Sequence, residues 1–201
     1  MLTIVILSFN RPLELRRLLE NILQEASKVN SGNLVVQVAE DCSPRQKEIK
    51  NLVSEMKGKF IEKGVELIGK YNRKNLGYDA NLIRALKGDS EFTLLLSDDD
   101  YLDGSLLDDF ITFLKNQNPK VVICPFIKHG NLYRSGVHYS FGYSVDVLYD
   151  SILFSGLVFK NGHVNLAENE YSFLKSSIYS QVYIVASSWT DDSYYYDKNI
   201  I

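Results

Sequence analysis

The sequence predicts an α/β domain with a mostly parallel central sheet, helices on both faces and a small antiparallel region toward the carboxyl end. Three observations carry this. Over the first 124 residues, short aliphatic and β-branched runs alternate with segments whose apolar residues recur at helical spacing. The strand-like runs are close to continuously apolar, as strands buried on both faces require. After Pro125 the helical period fades, and Tyr, Phe, Gly and Ser dominate from Phe126 to Phe159.

The elements follow in order. Leu2 to Leu7 reads as a strand. Asn10 is placed to cap the next helix, with Pro12 in its first turn. Leu15, Leu18, Leu19, Ile22 and Leu23 form that helix's apolar stripe. Leu34 to Ala39 is a second strand, ended by Asp41-Cys42-Ser43-Pro44, and a helix follows over Gln46 to Lys57. Val65 to Ile68 is a third strand. The turn Asn75-Leu76-Gly77 leads into a helix over Tyr78 to Leu86. Phe92 to Leu96 is the fourth strand, Leu106 to Leu114 a helix, and Lys120 to Cys124 the fifth strand. Beyond Pro125 we expect short antiparallel strands and loops as far as Val147, then an element at Ser155 to Lys160. A helix is expected over Ala167 to Ser176, and an apolar strand or helix over Val182 to Ala186.

Composition narrows the classes. A chain of 201 residues can bury a full sheet core in one domain, residues 1–201. The net charge is −3 and no basic run occurs, so no nucleic-acid partner is expected. Cys42 and Cys124 lie far apart and fit no metal spacing, which points to reduced thiols and a cytoplasmic location. No basic stretch precedes an apolar one at the amino end, so no signal peptide is expected. No apolar run reaches the length of a membrane span.

The chemistry concentrates at Asp98, Asp99 and Asp100, directly after the fourth strand. Crowded carboxylates raise one another's pKa and destabilise a site unless something positive sits among them. Residues i and i+2 of an extended segment share a side. Asp98 and Asp100 are therefore expected to face one cleft, with Asp99 turned away. Oxygen-only ligands suit Mg2+ or Mn2+. The bland alternative is an acidic surface loop, with Asp103 and Asp108 as further solvated charges. A calcium EF-hand loop is excluded, because Tyr101 and Phe110 fall where it needs oxygen ligands. Phe9-Asn10, Asp41 and Asn75 to Gly77 also fall at carboxyl ends of strands, where sheets of this kind bind ligands.

Four stretches together carry a family resemblance: Ile4 to Pro12, Ala39 to Ser43, Asn75 to Asn81 and Leu96 to Asp100. In order and spacing they resemble the motifs of family 2 glycosyltransferases with the GT-A fold, whose central sheet is Rossmann-like. The Asn75-Leu76-Gly77-Tyr78-Asp79 stretch looks most like bacterial branches that build surface polysaccharides. The resemblance covers residues 1–124 well, and Ser155 to Lys160 fits the family's acceptor-side segment more loosely. It implies a nucleotide-sugar-binding half (1–124) and an acceptor-side half (125–201).

The implied reaction is metal-dependent, inverting transfer of a sugar from a nucleotide diphosphate sugar to an acceptor hydroxyl in bacterial cell-surface glycan biosynthesis. The departing diphosphate gathers charge. A divalent ion bridging both phosphates stabilises it without proton transfer. Because the diphosphate is itself a ligand, one or two aspartates suffice. By position, the resemblance implies that Phe9 stacks on the nucleobase and Asp41 accepts a hydrogen bond from it. Asp98 lies near the ribose or donor sugar, with Asp99 beside it in the nucleotide-sugar site. Asp100 is the ligand of Mn2+ or Mg2+, and Asn75 and Gly77 shape the adjoining turn. An acceptor carboxylate suits an imide N–H, so UDP or dTDP donors are expected over CDP, with GDP less favoured.

The sequence departs from the family pattern in three places. The usual Glu-Asp pair that supplies the acceptor base is not evident. Glu168, Glu170, Asp191 and Asp192 are the carboxylates in the right half, and Asp191 has the most suitable distance from Asp100. The cation for the diphosphate is Arg11, Arg73 or Lys74. Relatives commonly continue beyond the equivalent of Ile201 through acceptor-side or membrane-associating helices. A glycan or lipid-linked acceptor, and peripheral association with the inner face of the plasma membrane through such a region, are the corresponding expectations. Two other readings stand beside this one. The first is a catalytically incomplete domain that only binds nucleotide sugar. The second is a nucleotidyltransferase, disfavoured because Ser8 to Pro12 occupies the place of its Gly-rich phosphate loop.

Overall fold

The computed structural model describes residues 1–26, 29, 34–134, 145–164 and 177–201. Numbered in chain order, the strands are β1 (Leu2–Ser8), β2 (Leu34–Glu40), β3 (Glu66–Tyr71), β4 (Phe92–Ser97), β5 (Val121–Ile123), β6 (Phe126–Lys128), β7 (Asn131–Tyr133), β8 (Leu157–Lys160) and β9 (Tyr194–Tyr195). Seven form one sheet in the order β3-β2-β1-β4-β8-β5-β9, and β6 and β7 form a separate antiparallel pair. All neighbours in the large sheet are parallel except β8, which runs antiparallel to both β4 and β5.

The register places the functional motifs. β1 pairs with β2 from Leu2↔Leu34 to Ser8↔Glu40, and with β4 from Leu2↔Phe92 to Leu7↔Ser97. The three strands therefore end level. Phe9, Asp41 and Asp98, each just past its strand, emerge side by side at the carboxyl edge.

Alternation along β1 shows why the run is apolar but for Thr3, whose buried hydroxyl bonds the Ser90 hydroxyl. Leu2, Ile4 and Ile6 belong to one core, packed with α1 (Pro12–Ala26), α2 (Gln46–Glu62) and α4 (Leu107–Gln117). Val5 and Leu7 belong to the other, packed with α3 (Tyr78–Ala85), α5 (Val145–Asp150) and α6 (Ser180–Ser188). Each face is covered, so polar residues inside the strands would lose solvation without return.

One local expectation is revised and two are made specific. Asn10 does not cap α1. It takes the left-handed conformation (φ 64°), and the Arg11 carbonyl receives the first helical bond, from the Leu15 N–H at 3.0 Å. Val182 to Ala186 is helical, inside α6. The element near Ser155 proves to be the strand β8, threaded between β4 and β5. Gly156 (φ 82°) is the pivot: its N–H donates to the Leu95 carbonyl and its own carbonyl accepts from the Cys124 N–H, both at 2.9 Å. A Cβ there would come within 3.1 Å of the Cys124 carbonyl and of the Arg134 guanidinium. The helix expected over Ala167 to Ser176 lies outside the described residues.

α3 and α6 are joined by a buried carboxylate. Asp79 accepts the N–H groups of Ile178 (2.9 Å) and Ser180 (3.1 Å) and the Ser177 hydroxyl (3.3 Å). The acceptor for the start of α6 thus comes from another helix. Asp79→Ala would leave these amides without it. A loss of about 1–3 kcal/mol in urea denaturation is expected, with Asp79→Asn intermediate. An unchanged midpoint in the alanine variant would show that this contact does not hold the helices together.

Candidate functional site

At the carboxyl edge, Ser8, Phe9, Arg11, Asp41, Gly77 and Asp98 line a cleft of about 450 Å³. Its far wall is Tyr78 and Phe154, whose rings lie 5.6 Å apart. Phe9 is 45% exposed, so its ring is offered to the cleft rather than spent on the core.

Asp41 is buried yet reaches this cleft. Its Oδ1 accepts from Asn72 Nδ2 (2.6 Å) and the Leu76 N–H (2.8 Å), and its Oδ2 accepts from the Gly77 N–H (2.8 Å). The Asn75-Leu76-Gly77 turn is therefore folded onto the carboxylate. Asn75 Oδ1 also receives the Gly77 N–H at 2.8 Å, and Gly77 takes φ 83°, a conformation a side chain would strain.

The aspartates after β4 differ from the expected alternation. Ser97 to Asp100 form a tight turn, closed by the Asp100 N–H to the Ser97 carbonyl at 3.3 Å. The i, i+2 rule holds only on extended backbone, and the strand has ended. Asp98 lines the first cleft, whereas Asp99 and Asp100 line a neighbouring one of about 490 Å³ with Tyr101, Phe126 and Ser155. The two clefts share the Phe154 wall.

The positive group that the crowded carboxylates require is Arg11. One guanidinium nitrogen lies 2.8 Å from Asp99 Oδ2 and 3.4 Å from Asp98 Oδ1. Asp99 and then Asp98 raise the arginine's own pKa. Burial pushes Asp99 upward, but the Ser97 hydroxyl, 2.5 Å from its Oδ1, and Arg11 together hold it below the usual carboxylate range. Burial wins at Asp98, which rises to about 6 despite Arg11. It also raises Asp100, whose Oδ2 accepts the Ser97 N–H at 3.1 Å.

These residues fit a hard divalent ion whose remaining ligands come from a phosphate. Asp98 Oδ2 is buried with no hydrogen-bond partner among the described residues. Carboxylates shifted upward by burial gain from an added cation. Among the described residues no three His, Cys, Asp or Glu side chains form a ready-made metal cage.

The other sequence-derived candidates separate cleanly. Asp191 is not near the cleft. It and Asp192 precede β9, which runs parallel to β5, and the Asp192 carbonyl accepts the Lys120 N–H (2.9 Å) just before β5 begins. Both are exposed at the opposite, amino edge of the sheet, where Asp192 pairs with Lys120 at 3.5 Å. Spacing along the chain did not reveal that direction. Arg73 and Lys74 are exposed in the loop after β3 and line neither cleft. Glu168 and Glu170 lie outside the described residues.

Sequence reasoning missed Arg134. Buried, it donates to the carbonyls of Cys124 (3.2 Å), Ser155 (2.6 Å) and Leu153, and lies 5.1 Å from the Phe126 ring centre. Burial lowers it to about 10. It fixes the Leu153-Phe154-Ser155 wall that divides the clefts. An arginine in a Tyr- and Ser-rich stretch gave no signal of this.

The sequence profile of glycosyl transferase family 2 matches residues 3–176, and the chain belongs to that family. No curated protein matches it. Among solved structures it is similar to S. aureus TarS 1-349 in complex with UDP. That match has a TM-score of 0.69 and 17% identity, covering 99% of this chain and 59% of that one. TarS 1-349 in complex with UDP-GlcNAc gives a TM-score of 0.67 and 16% identity, covering 99% and 57%. The mannosyltransferase PcManGT from Pyrobaculum calidifontis, in complex with GDP-Man and Mn2+, gives 0.64 and 13%, covering 98% and 54%. At these identities the likeness establishes the fold, GT-A. The chain spans little more than half the length of these structures.

The raised Asp98 carboxyl has a pH signature. Its folded pKa lies above the unfolded value near 3.8, so the folded state holds the proton more tightly. Stability from this group is therefore present at low pH and lost as pH rises from about 4 to 6. Asp98→Asn, which cannot ionise, is expected to match the parent near pH 4 and exceed it at pH 7. The upper limit is about 3 kcal/mol, reduced by solvent at the cleft mouth. Urea denaturation of both proteins across that range checks this, and a gap that does not widen with pH would contradict it.

Proposed function

We propose that this chain transfers a sugar from a nucleoside diphosphate sugar to an acceptor hydroxyl, in bacterial cell-surface glycan assembly and with Mn2+ or Mg2+. One observation carries the reading. An exposed aromatic ring, an acceptor-only carboxylate, a guanidinium and an acidic turn meet at one sheet edge, in the order base, diphosphate and metal would need. The ligands of the similar structures, UDP, UDP-GlcNAc, and GDP-Man with Mn2+, support it.

In this reading Phe9 stacks on the base and Asp41 accepts its imide N–H. Asp98 and Asp99 face the ribose and donor sugar, and Arg11 turns to the diphosphate. Asp100 holds the metal together with the phosphates. The metal, when bound, supplies charge stabilisation for the departing diphosphate. UDP or dTDP donors are favoured over CDP, because cytosine lacks a proton at N3. The acceptor, a glycan or a lipid-linked sugar, enters past Phe154 into the second cleft. Among the described residues, no helix is long and apolar enough to cross a membrane. Work at the cytoplasmic face of the plasma membrane belongs to the same proposal.

A second reading is favoured by one specific finding. With Asp191 at the far edge, the carboxylates that line the two clefts among the described residues are Asp41 and the three of the acidic turn. A domain that binds donor without turnover would need no more than these. Product formation with a sugar or lipid-linked acceptor separates the readings.

Two outcomes test the shared ground. UDP with Mn2+, at about a hundred times its dissociation constant, should stabilise the fold by about 2.7 kcal/mol. Asp100→Asn should abolish the metal dependence while leaving the empty protein at least as stable, because it relieves carboxylate crowding. If none of UDP, dTDP, GDP or CDP shifts the melting temperature with either metal, both readings fail. For the base, Phe9→Ala should weaken all four nucleotides alike, by about 1–3 kcal/mol if the ring stacks on the base. Asp41→Ala should narrow the gap between UDP and CDP. Equal or tighter binding of CDP by the parent would remove the role given to Asp41.

A further inference from the structure

Behind Asp41 runs a buried chain of amides. Asn72, just past β3, is buried and lines neither cleft. Its Nδ2 donates to Asp41 Oδ1 (2.6 Å) and to Asn81 Oδ1 (3.0 Å). Asn81, on α3, donates its own Nδ2 to the Ala39 carbonyl at 3.1 Å. The backbone of Asn72 is tied as well: its N–H reaches the Glu40 carbonyl and its carbonyl receives Gln46 Nε2, both at 2.9 Å.

The direction of every bond in this chain is determined. A main-chain carbonyl can only accept, so Asn81 must turn its NH2 group to Ala39 and its oxygen to Asn72. Asn72 must then present its NH2 to both Asn81 and Asp41. Asp41 Oδ1 thus faces an obligatory donor. Two lone pairs of Oδ1 are taken by Asn72 and Leu76 and one of Oδ2 by Gly77, leaving one acceptor position open among the described residues.

We infer that Asn72, oriented by Asn81, is a specificity-determining positioning residue. It keeps Asp41 an acceptor with one open lone pair, so that the cleft retains bases presenting an N–H and rejects those presenting a bare ring nitrogen. This rests on the assignment of Asp41 to the nucleobase. Without the Asn72 donor, Oδ1 keeps only the Leu76 N–H, and the carboxylate is no longer held with its open lone pair turned to the base. Uracil would then lose the acceptor its N3–H meets, whereas cytosine, which has no proton at N3, would lose nothing.

The test is calorimetric titration of UDP and CDP, each with Mn2+, into the parent, Asn72→Ala and Asn81→Ala. The second variant leaves Asn72 in place but frees it to rotate, and serves if the first does not fold. In the parent, UDP should bind about 10- to 100-fold more tightly than CDP, as one hydrogen bond to a charged group allows. In either variant the ratio should fall toward unity through weaker UDP binding, with CDP binding and the Mn2+ dependence unchanged. Equal weakening of both nucleotides, with the ratio kept, would mean a purely structural role and overturn the inference while leaving Asp41 its part. Absence of any preference in the parent would overturn both.

Discussion

A single guanidinium makes the acidic turn tolerable, and the site is organised around that fact. Ser97 to Asp100 bring three carboxylates onto one turn, where ionising all of them together is unfavourable. Arg11 answers two of the three, at 2.8 Å and 3.4 Å. It can do so only because β1 and β4 are register-matched neighbours, so that the chain leaving β1 meets the turn leaving β4. The compensation is incomplete. Asp99 is held ionised, while Asp98 and Asp100 are pushed toward their neutral forms by burial. The turn remains short of positive charge, and in the proposed function the metal and its phosphates would supply it.

The two ends of the first cleft are built on opposite terms. At Asp41 most acceptor positions are filled, by the side-chain amide of Asn72 just past β3 and by the N–H groups of Leu76 and Gly77, with Asn81 of α3 holding Asn72 from behind. At Asp98 a buried carboxylate oxygen has no hydrogen-bond partner among the described residues. A satisfied network is rigid and selective, whereas an unsatisfied one responds strongly to whatever enters. The arrangement suits a ligand with an invariant ring at one end and a variable, charged group at the other.

Much of this was legible in the sequence, for physical reasons. Covering both sheet faces forces strands such as Leu2 to Leu7 to be continuously apolar, and parallel pairing sets the following residues side by side. Phe9, Asp41 and Asp98 could therefore be grouped from their positions alone. What failed were inferences that needed direction or long-range pairing. The side-sharing expected of Asp98 and Asp100 was lost because the strand stops at Ser97. Asp191 was misplaced because nothing local shows which way β9 runs. Asn72 reads as an ordinary polar residue between Tyr71 and Arg73, and only the fold reveals that it faces a carboxylate. Arg134 is hidden likewise, since its partners are main-chain carbonyls, at Cys124 and at Leu153 and Ser155, which no side-chain pattern marks.

The position of β8 has a consequence for how the domain is made. β5 does not pair with β4. It reaches the sheet only through β8, and β9 only through β5. While a ribosome is still delivering residues 98–156, the strands β3-β2-β1-β4 are already available, but β4 offers a bare edge of unpaired amides and carbonyls. Such edges recruit other chains. Assembly must wait for a contact more than 60 residues away along the chain, between Phe92 and Lys160. Contacts that distant slow folding. The same event that seals this edge draws Gly156 onto Leu95 and sets the Phe154 wall against the acidic turn. A nascent chain therefore gains the wall between its clefts and loses this open edge in one step, while Ile201 closes the second cleft later.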